Sequence, residues 1–380
     1  MKRRDFGAPS GNRMNRAAIT DSRGPLRIAL IGAGEVTEHK HLRALREVRN
    51  ATVVALADPN EERCRRVADR YGIRRRFTHA HLCFTREVAD IVGILTPPCL
   101  HAELAIEALQ AGQHVLTEKP LALSLPDCNE LVAASHDTTS LSMTGFHMRW
   151  HRLLARARDV IASGQLGQLE TVRATWNSPR GDDTAPPWKR ARVTGGGSIV
   201  ELGVHLFDQW RYLFGAEVVD VFARARHGTR DDECATISAT LSNGMLAEAI
   251  VSERTSHEIE IEVSGDQGRL RVSCQRFDGL DVYTRRETAG MVGPRARGIL
   301  RAMRELPRGV ARMRSLGDYG DSYRGQWQHL VDCVRAGRRP ACSLEDGREA
   351  VRVALAAAES ARAGRSVKVA EAPPTLAAAR

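Results

Sequence analysis

Lysine is nearly missing from this sequence. Only Lys2, Lys40, Lys119, Lys189 and Lys368 interrupt the arginines among its 56 basic residues, so a lysine placed at a strand end asks for a reason that arginine could not meet. Paired cysteines are missing too. The eight present include no Cys-x-x-Cys and no zinc-like spacing with histidine, which excludes a disulfide framework and points to a reduced, cytoplasmic setting. No apolar run reaches the roughly 18 residues that a membrane span needs. Nor is there a basic block: the net charge of +10 is dispersed, which reads as the arginine usage of a GC-rich genome more than as a polyanion partner such as nucleic acid, and leaves a phosphorylated or nucleotide-linked substrate open. Arg3-Arg4-Asp5-Phe6 superficially resembles an export signal, but the polar stretch Gly7 to Arg16 follows where an apolar one should stand. Residues 1–24 therefore read as a disordered tail or a start-codon extension.

What is present is alternation. Leu26 to Ile31 is an apolar strand that runs into Gly32-Ala33-Gly34-Glu35-Val36-Thr37 and a helical segment, His39 to Val48; a second strand, Thr52 to Ala57, ends in Asp58. Strand, Gly-x-Gly turn, helix, strand and acid form a dinucleotide-binding arrangement. Gly32 allows the tight turn, Gly34 lets backbone approach a pyrophosphate, and the helix N-terminus around Glu35 and Val36 supplies positive potential. Asp58 stands where a carboxylate accepts from both ribose hydroxyls, which favours NAD. Arg63 and the Arg65-Arg66 pair leave NADP open, and Thr37 in place of a third glycine makes the fingerprint imperfect.

Further strands end at Thr96-Pro97-Pro98 and at Glu118-Lys119-Pro120, separated by a helix from His101, and a last strand runs from Ser142 to Gly145. This predicts a doubly wound Rossmann domain over residues 25–147, with ligands beyond the carboxyl ends of its strands. Lys119 falls there. It can hold a substrate oxygen and stabilise a developing alkoxide; the competing reading is an ion pair with Glu118.

A second candidate is Gly195-Gly196-Gly197-Ser198, read as a loop ending in an N-cap, followed by a helix from Ile199 to Phe214. Glu201, His205 and Asp208 share one face, while Ile199, Leu202, Leu206 and Leu213 form the core stripe. A carboxylate one turn before an imidazole orients the ring as a general base. A partly buried histidine bonded to its neighbour for structure is the alternative. Three ligands on one helical face seldom converge on an ion, so no metal is expected. Around this helix lie a loop, Asn177 to Thr194, whose Trp188, Lys189 and Arg190 are candidates to line a cleft, and successive strands without helices between them. Ile259, Ile261 and Val263 alternate with Glu258, Glu260 and Glu262, as in an antiparallel sheet with one solvated face.

Taken together, these segments resemble the Gfo/Idh/MocA oxidoreductase family. The resemblance spans residues 26 to about 369 and rests on Gly32-Ala33-Gly34, Ala57-Asp58, Thr96-Pro97-Pro98 with His101, Gly112-x-His114-Val115-x-x-Glu118-Lys119-Pro120, Arg149, Gly195 to Asp208, Trp327 to Val331 and Ser343-x-Glu345-Asp346-Gly347. It implies an α/β protein: the Rossmann domain, then a C-terminal α/β domain over 148–370 with a large open, mainly antiparallel sheet, and a tail at 371–380. It implies an NAD-dependent enzyme that moves hydride at a secondary alcohol or ketone of a sugar or cyclitol derivative; the alternative is a nucleotide-binding regulator without catalysis. Lys119 and His205 would act at the substrate carbon, assisted by Glu201 where relatives usually have aspartate. Cofactor contacts would come from Gly32, Gly34, Glu35, Val36, Asp58, Thr96, Pro97, His101, Glu118 and Lys119, and substrate contacts from Lys119, Arg149, Trp188, Glu201, His205 and Asp208. A homo-oligomer, dimer or tetramer, is implied as well.

Residues 285–325 read as a variable basic insertion on which the resemblance is silent. Arg297, Arg301, Arg304 and Arg308 form a helical stripe beside Ile299, Leu300, Met303 and Leu306, with Pro307 and Gly309 expected to interrupt it.

Overall fold

The computed structural model describes residues 24–85, 87–181, 186–312 and 317–371. The tails expected at 1–24 and 371–380 lie outside these, but for Gly24 and Glu371. Six strands, β1 (Leu26–Ile31), β2 (Ala51–Ala57), β3 (Arg75–Phe77), β4 (Ile91–Ile94), β5 (His114–Thr117) and β6 (Ser142–Thr144), form a fully parallel sheet in the order β3-β2-β1-β4-β5-β6. Every residue of β4 is buried, as a sheet covered on both faces requires. Its helices are α1 (Leu42–Leu45), α2 (Glu61–Tyr71), α3 (His101–Gln110) and α4 (Leu125–His136). Because β1 pairs with both β2 and β4, the strand order reverses at β1, and a crevice opens at the carboxyl ends of β1 and β4.

After α5 (Arg152–Ala162) comes a second sheet of eight strands: β7 (Leu169–Asn177), β8 (Val218–Arg226), β9 (Cys234–Leu241), β10 (Leu246–Ser252), β11 (Glu258–Gly265), β12 (Gly268–Ser273), β13 (Leu280–Thr284) and β14 (Val367–Lys368). All its pairings are antiparallel except β7 with β10. The alternation in β11 holds: Ile259, Ile261 and Val263 are buried, while Glu260 and Glu262 pair with Arg271 and Arg173 on the outer face. Against the inner face pack α5, α6 (Val204–Phe214) and α9 (Leu344–Ala363), and α9 also touches α4 of the first unit. One apolar core runs from Ile28 and Leu30 to Ile261 and Val263 through Trp327 of α8 (Gly317–Ala336), so the two sheets are not independent bodies. Among the described residues no helix is long and apolar enough to cross a membrane.

Three local expectations give way. Ser198 does not cap: its own backbone is already helical, so its side chain cannot fold back on the first turn. The helix instead opens with a wide turn, Ile199–Gly203, and the segment after β1 does likewise at Thr37–His41. Pro307 does not interrupt the insertion: α7 (Val292–Arg312) runs through it. The carbonyl left without its usual donor belongs to Met303, on a face open to water.

Candidate active site

The turn after β1 is built around two close approaches. Gly32 has φ +97°, and a Cβ there would stand 2.7 Å from the Leu95 carbonyl oxygen. Thr37 earns its place by donating to the Gly32 carbonyl at 2.7 Å, tying the turn to the helix that follows. Around Gly34 nothing lies within 4 Å of where a Cβ would point, leaving backbone bare at the helix N-terminus beside exposed Glu35 and Val36. Asp58 is buried and preset: it accepts from the backbone N–H of Ala33 at 2.7 Å and of Asn60 at 2.8 Å. Arg63 closes on it at 2.7 Å. Of the other arginines named for NADP, Arg66 is held with Arg70 by buried Glu38, and Arg65 is exposed. The hydroxyl of Thr96, beside half-buried Pro97, is buried without a partner among the described residues. A bare Gly-x-Gly turn, a preset carboxylate and an orphan hydroxyl fit a dinucleotide.

His101 is a correction. It is 1% exposed, and its ring nitrogens lie 2.8 Å from the Pro120 carbonyl oxygen and 2.9 Å from that of Thr96. It clamps the two turns together from behind instead of reaching a ligand.

Glu118, Lys119 and His205 come together on a cleft of about 990 Å³ between the two sheets. Trp327 donates its indole N–H to Nδ1 of His41 at 3.0 Å, which leaves the Nε2 hydrogen to donate to Glu118 at 3.1 Å. Burial works to raise the Glu118 carboxyl, but the His41 bond and neighbouring charge carry it below the usual range. Lys119 donates to the backbone carbonyl of Glu201 at 2.9 Å, one turn before His205. Burial pulls the Lys119 ammonium below its usual pKa against the pull of Glu201 and Glu118. The His205 ring stacks on Trp176, centroids 4.2 Å apart and planes 12° from parallel, with Phe146 and His147 at its edges. Its Nδ1 has no hydrogen-bond partner among the described residues. Burial, then Lys119 and His147, hold its pKa well below 6.5, so the ring is neutral at pH 7.

Glu201 does not orient His205. Its carboxylate accepts from Lys189 at 2.5 Å and from Arg180 at 2.7 Å. The wide turn sets Glu201 out of α-helical register with His205, and its extra methylene reaches across to the loop instead. Burial would raise this carboxyl, but Lys189, Lys119 and Arg180 push it down to about 2. Behind it Arg180 and Arg230 share buried Glu253.

Two further expectations are overturned. Arg149 and Asp208 are not poised for substrate: they pair with each other at 2.5 Å, both almost fully buried, and Arg149 also holds Asp346 at 3.0 Å. Two charges so placed satisfy each other and lock α9 to α6. Trp188 stays half-exposed beside the Lys189 ammonium, 4.9 Å from its ring centre, and Lys189 lines the cleft in its stead. The close approach that brings Lys189 inward explains one of the three glycines: a Cβ on Gly196 would lie 2.1 Å from the Lys189 carbonyl oxygen.

His147, Tyr319 and Tyr323 were not foreseen. His147 follows β6, so the rule that ligands gather at strand ends could have found it. The Ser322 hydroxyl donates to the Tyr319 carbonyl at 2.6 Å, so the 2.7 Å contact with His147 is a donation from Nδ1. The His147 ring stacks on Tyr323 at 4.0 Å. Both tyrosines line the cleft from α8, far away in sequence, where no local pattern marks them.

Two family models cover nearly the whole chain. The NAD-binding Rossmann fold of an oxidoreductase family matches residues 26–146, and the C-terminal alpha/beta domain of that family matches residues 158–369. The myo-inositol 2-dehydrogenase of Thermotoga maritima is 28% identical over 355 residues, covering 91% of this chain and 99% of its own. The D-apiose dehydrogenase of Paraburkholderia graminis is 27% identical, covering 90% of this chain and 89% of its own. Among solved structures, a probable dehydrogenase from Thermotoga maritima superposes with a TM-score of 0.74 at 25% identity, covering 92% of this chain and all of that one.

Proposed function

Since the chain belongs to the Gfo/Idh/MocA oxidoreductase family, matched by both of its domain models, we propose that it oxidises a secondary alcohol of a sugar or cyclitol derivative with NAD, or runs the reverse reduction. The observation that carries this reading is the meeting of Lys119 and His205 on one cleft, with Lys119 bonded to the helix turn that leads into His205. Gly32, Gly34 and Asp58 would hold the cofactor, with Thr96 lending its free hydroxyl. When bound, NAD supplies the two-electron acceptor for the hydrogen on the alcohol carbon. His205, neutral and stacked on Trp176 with His147 at its edge, takes the hydroxyl proton on its imidazole. Lys119 would stand beside the alcohol oxygen and, as an ammonium, stabilise the charge that grows there. Glu201 acts one step removed: its carbonyl aims Lys119, and its carboxylate anchors Lys189 and Arg180 in the cleft wall. The named relatives act on inositol and apiose, which supports a polyol or sugar as substrate. A homo-oligomer working in the cytoplasm belongs to the same proposal, and sedimentation of the purified chain tests its assembly.

The test is a panel of inositols, pyranoses and their phosphates with NAD, read by reduced nicotinamide. A substrate deuterated at the reacting carbon should be turned over more slowly. An enzyme that binds NAD but reduces it with no member of the panel would favour the regulatory alternative.

A further inference from the structure

The outer half of the cleft has no role in the chemistry above. One side is Lys40 and Arg43, on the first helical segment; the other is Arg308 and Arg312, near the end of α7. The α7 pair is engaged. Arg308 holds Asp318 at 3.1 Å and Asp321 at 3.3 Å, and Arg312 holds Glu47 at 3.1 Å and Asp321 at 3.3 Å. Arg301, further along the helix, holds Asp281. Thus α7 sits on the body by its charged side and leaves Ile299, Met303 and Leu306 in water, the reverse of an ordinary surface helix. That arrangement makes sense if the helix serves as a wall of the cleft.

Lys40 and Arg43 differ from the α7 pair. Among the described residues neither has a carboxylate within ion-pair distance, and Lys40 rests over the Tyr319 ring, 5.1 Å from its centre. Lys40 is half-buried, and burial together with Arg43 lowers its pKa, only partly opposed by Glu35. A cation drawn out of water beside a second cation is unfavourable unless an anion joins them. The cofactor pyrophosphate does not answer the need. Its place is the bare turn at Gly34; Glu35 and Val36 beside that turn also line this cleft, but Lys40 lies more than a turn further along, over the Tyr319 ring, and neither Asp58 nor Thr96 lines the cleft with it.

We propose that Lys40 and Arg43 form a phosphate subsite, so that the sugar or cyclitol oxidised here carries a phosphate, either as a monoester or as a diphosphate link. A point-charge ammonium beside a forked guanidinium suits a phosphate's several oxygens. The phosphate would lie at the cleft mouth under α7 and leave the reacting hydroxyl free to reach Lys119 and His205. This rests on the dehydrogenase reading of the same cleft.

Calorimetry on the NAD-loaded full chain tests it without turnover, using myo-inositol, myo-inositol 1-phosphate and uridine diphosphate as probes. The phosphate-bearing probes should bind, and the double variant Lys40→Met/Arg43→Gln should weaken them by about 10- to 100-fold, as for charge-assisted hydrogen bonds. NAD affinity should not change, and Arg295→Gln on exposed α7 should leave probe binding as it was. Phosphate-bearing probes that bind no better than myo-inositol would overturn the subsite. So would a double variant that loses NAD instead, since the pair would then serve the cofactor. Failure of the dehydrogenase reading shows separately, as absence of NAD reduction whatever the probes do.

Discussion

His205 sits in an aromatic slot formed by Trp176, Phe146 and His147, and that slot sets its chemistry. Burial and the nearby Lys119 disfavour the imidazolium, so the ring loses its proton well below 6.5. In the oxidation direction the base must be neutral. The pH profile of kcat/KM for alcohol oxidation should therefore stay level from neutrality down through 6.5 and fall only in more acid solution. A limb that falls by half at or above 6.5 would show that another group governs. Much of this was legible at the residue scale: Lys119, His205, Gly32, Gly34 and Asp58 all stand at strand ends or helix starts, where local pattern carries chemistry. The partners were not. Asp208 and Arg149 read as ligand groups because charge in a motif looks functional, yet each is neutralised by a residue that only the fold brings near.

At the scale of elements, the wide turn Ile199–Gly203 decides what Glu201 does. Its residues read as an ordinary helix, since Ile199, Leu202 and Leu206 keep the helical stripe, and nothing in the sequence marks one extra residue in the turn. The consequence is a carboxylate that ties the loop bearing Arg180 and Lys189 to α6. Its pKa is pushed from 4.5 to about 2, so its contribution to stability is present above about pH 4.5 and lost as the solution is acidified toward 2. Glu201→Gln leaves Lys189 without its anion, while Arg180 keeps Glu253, and should cost on the order of 3 kcal/mol at pH 7, measured by urea unfolding. That difference should shrink in acid. A cost below about 0.5 kcal/mol would mean that the loop is held by other contacts. Strand alternation in β11 and the βα order of the first sheet were legible because both are periodic; in α7 the helical stripe of arginines was legible too, but not its passage through Pro307. Its arginines find acids in β13 and α8, and that pairing carries the helix past Pro307.

Across the whole molecule, the apolar core is continuous from one sheet to the other, and Trp327 sits at the joint with its indole bonded to His41 behind Glu118. Heating should therefore unfold both sheets in one transition, moved upward by saturating NAD. Two separated calorimetric peaks would refute that coupling. The same joint fixes the distance between a turn of the first sheet and a helix lying on the second, and on it stands the central claim that Lys119 and His205 serve one reacting carbon. Steady-state kinetics of His205→Ala, run beside NAD titration of the same preparation, test this most directly. The account predicts turnover about 10²- to 10⁴-fold below wild type with NAD affinity unaltered; a variant with undiminished turnover would contradict it.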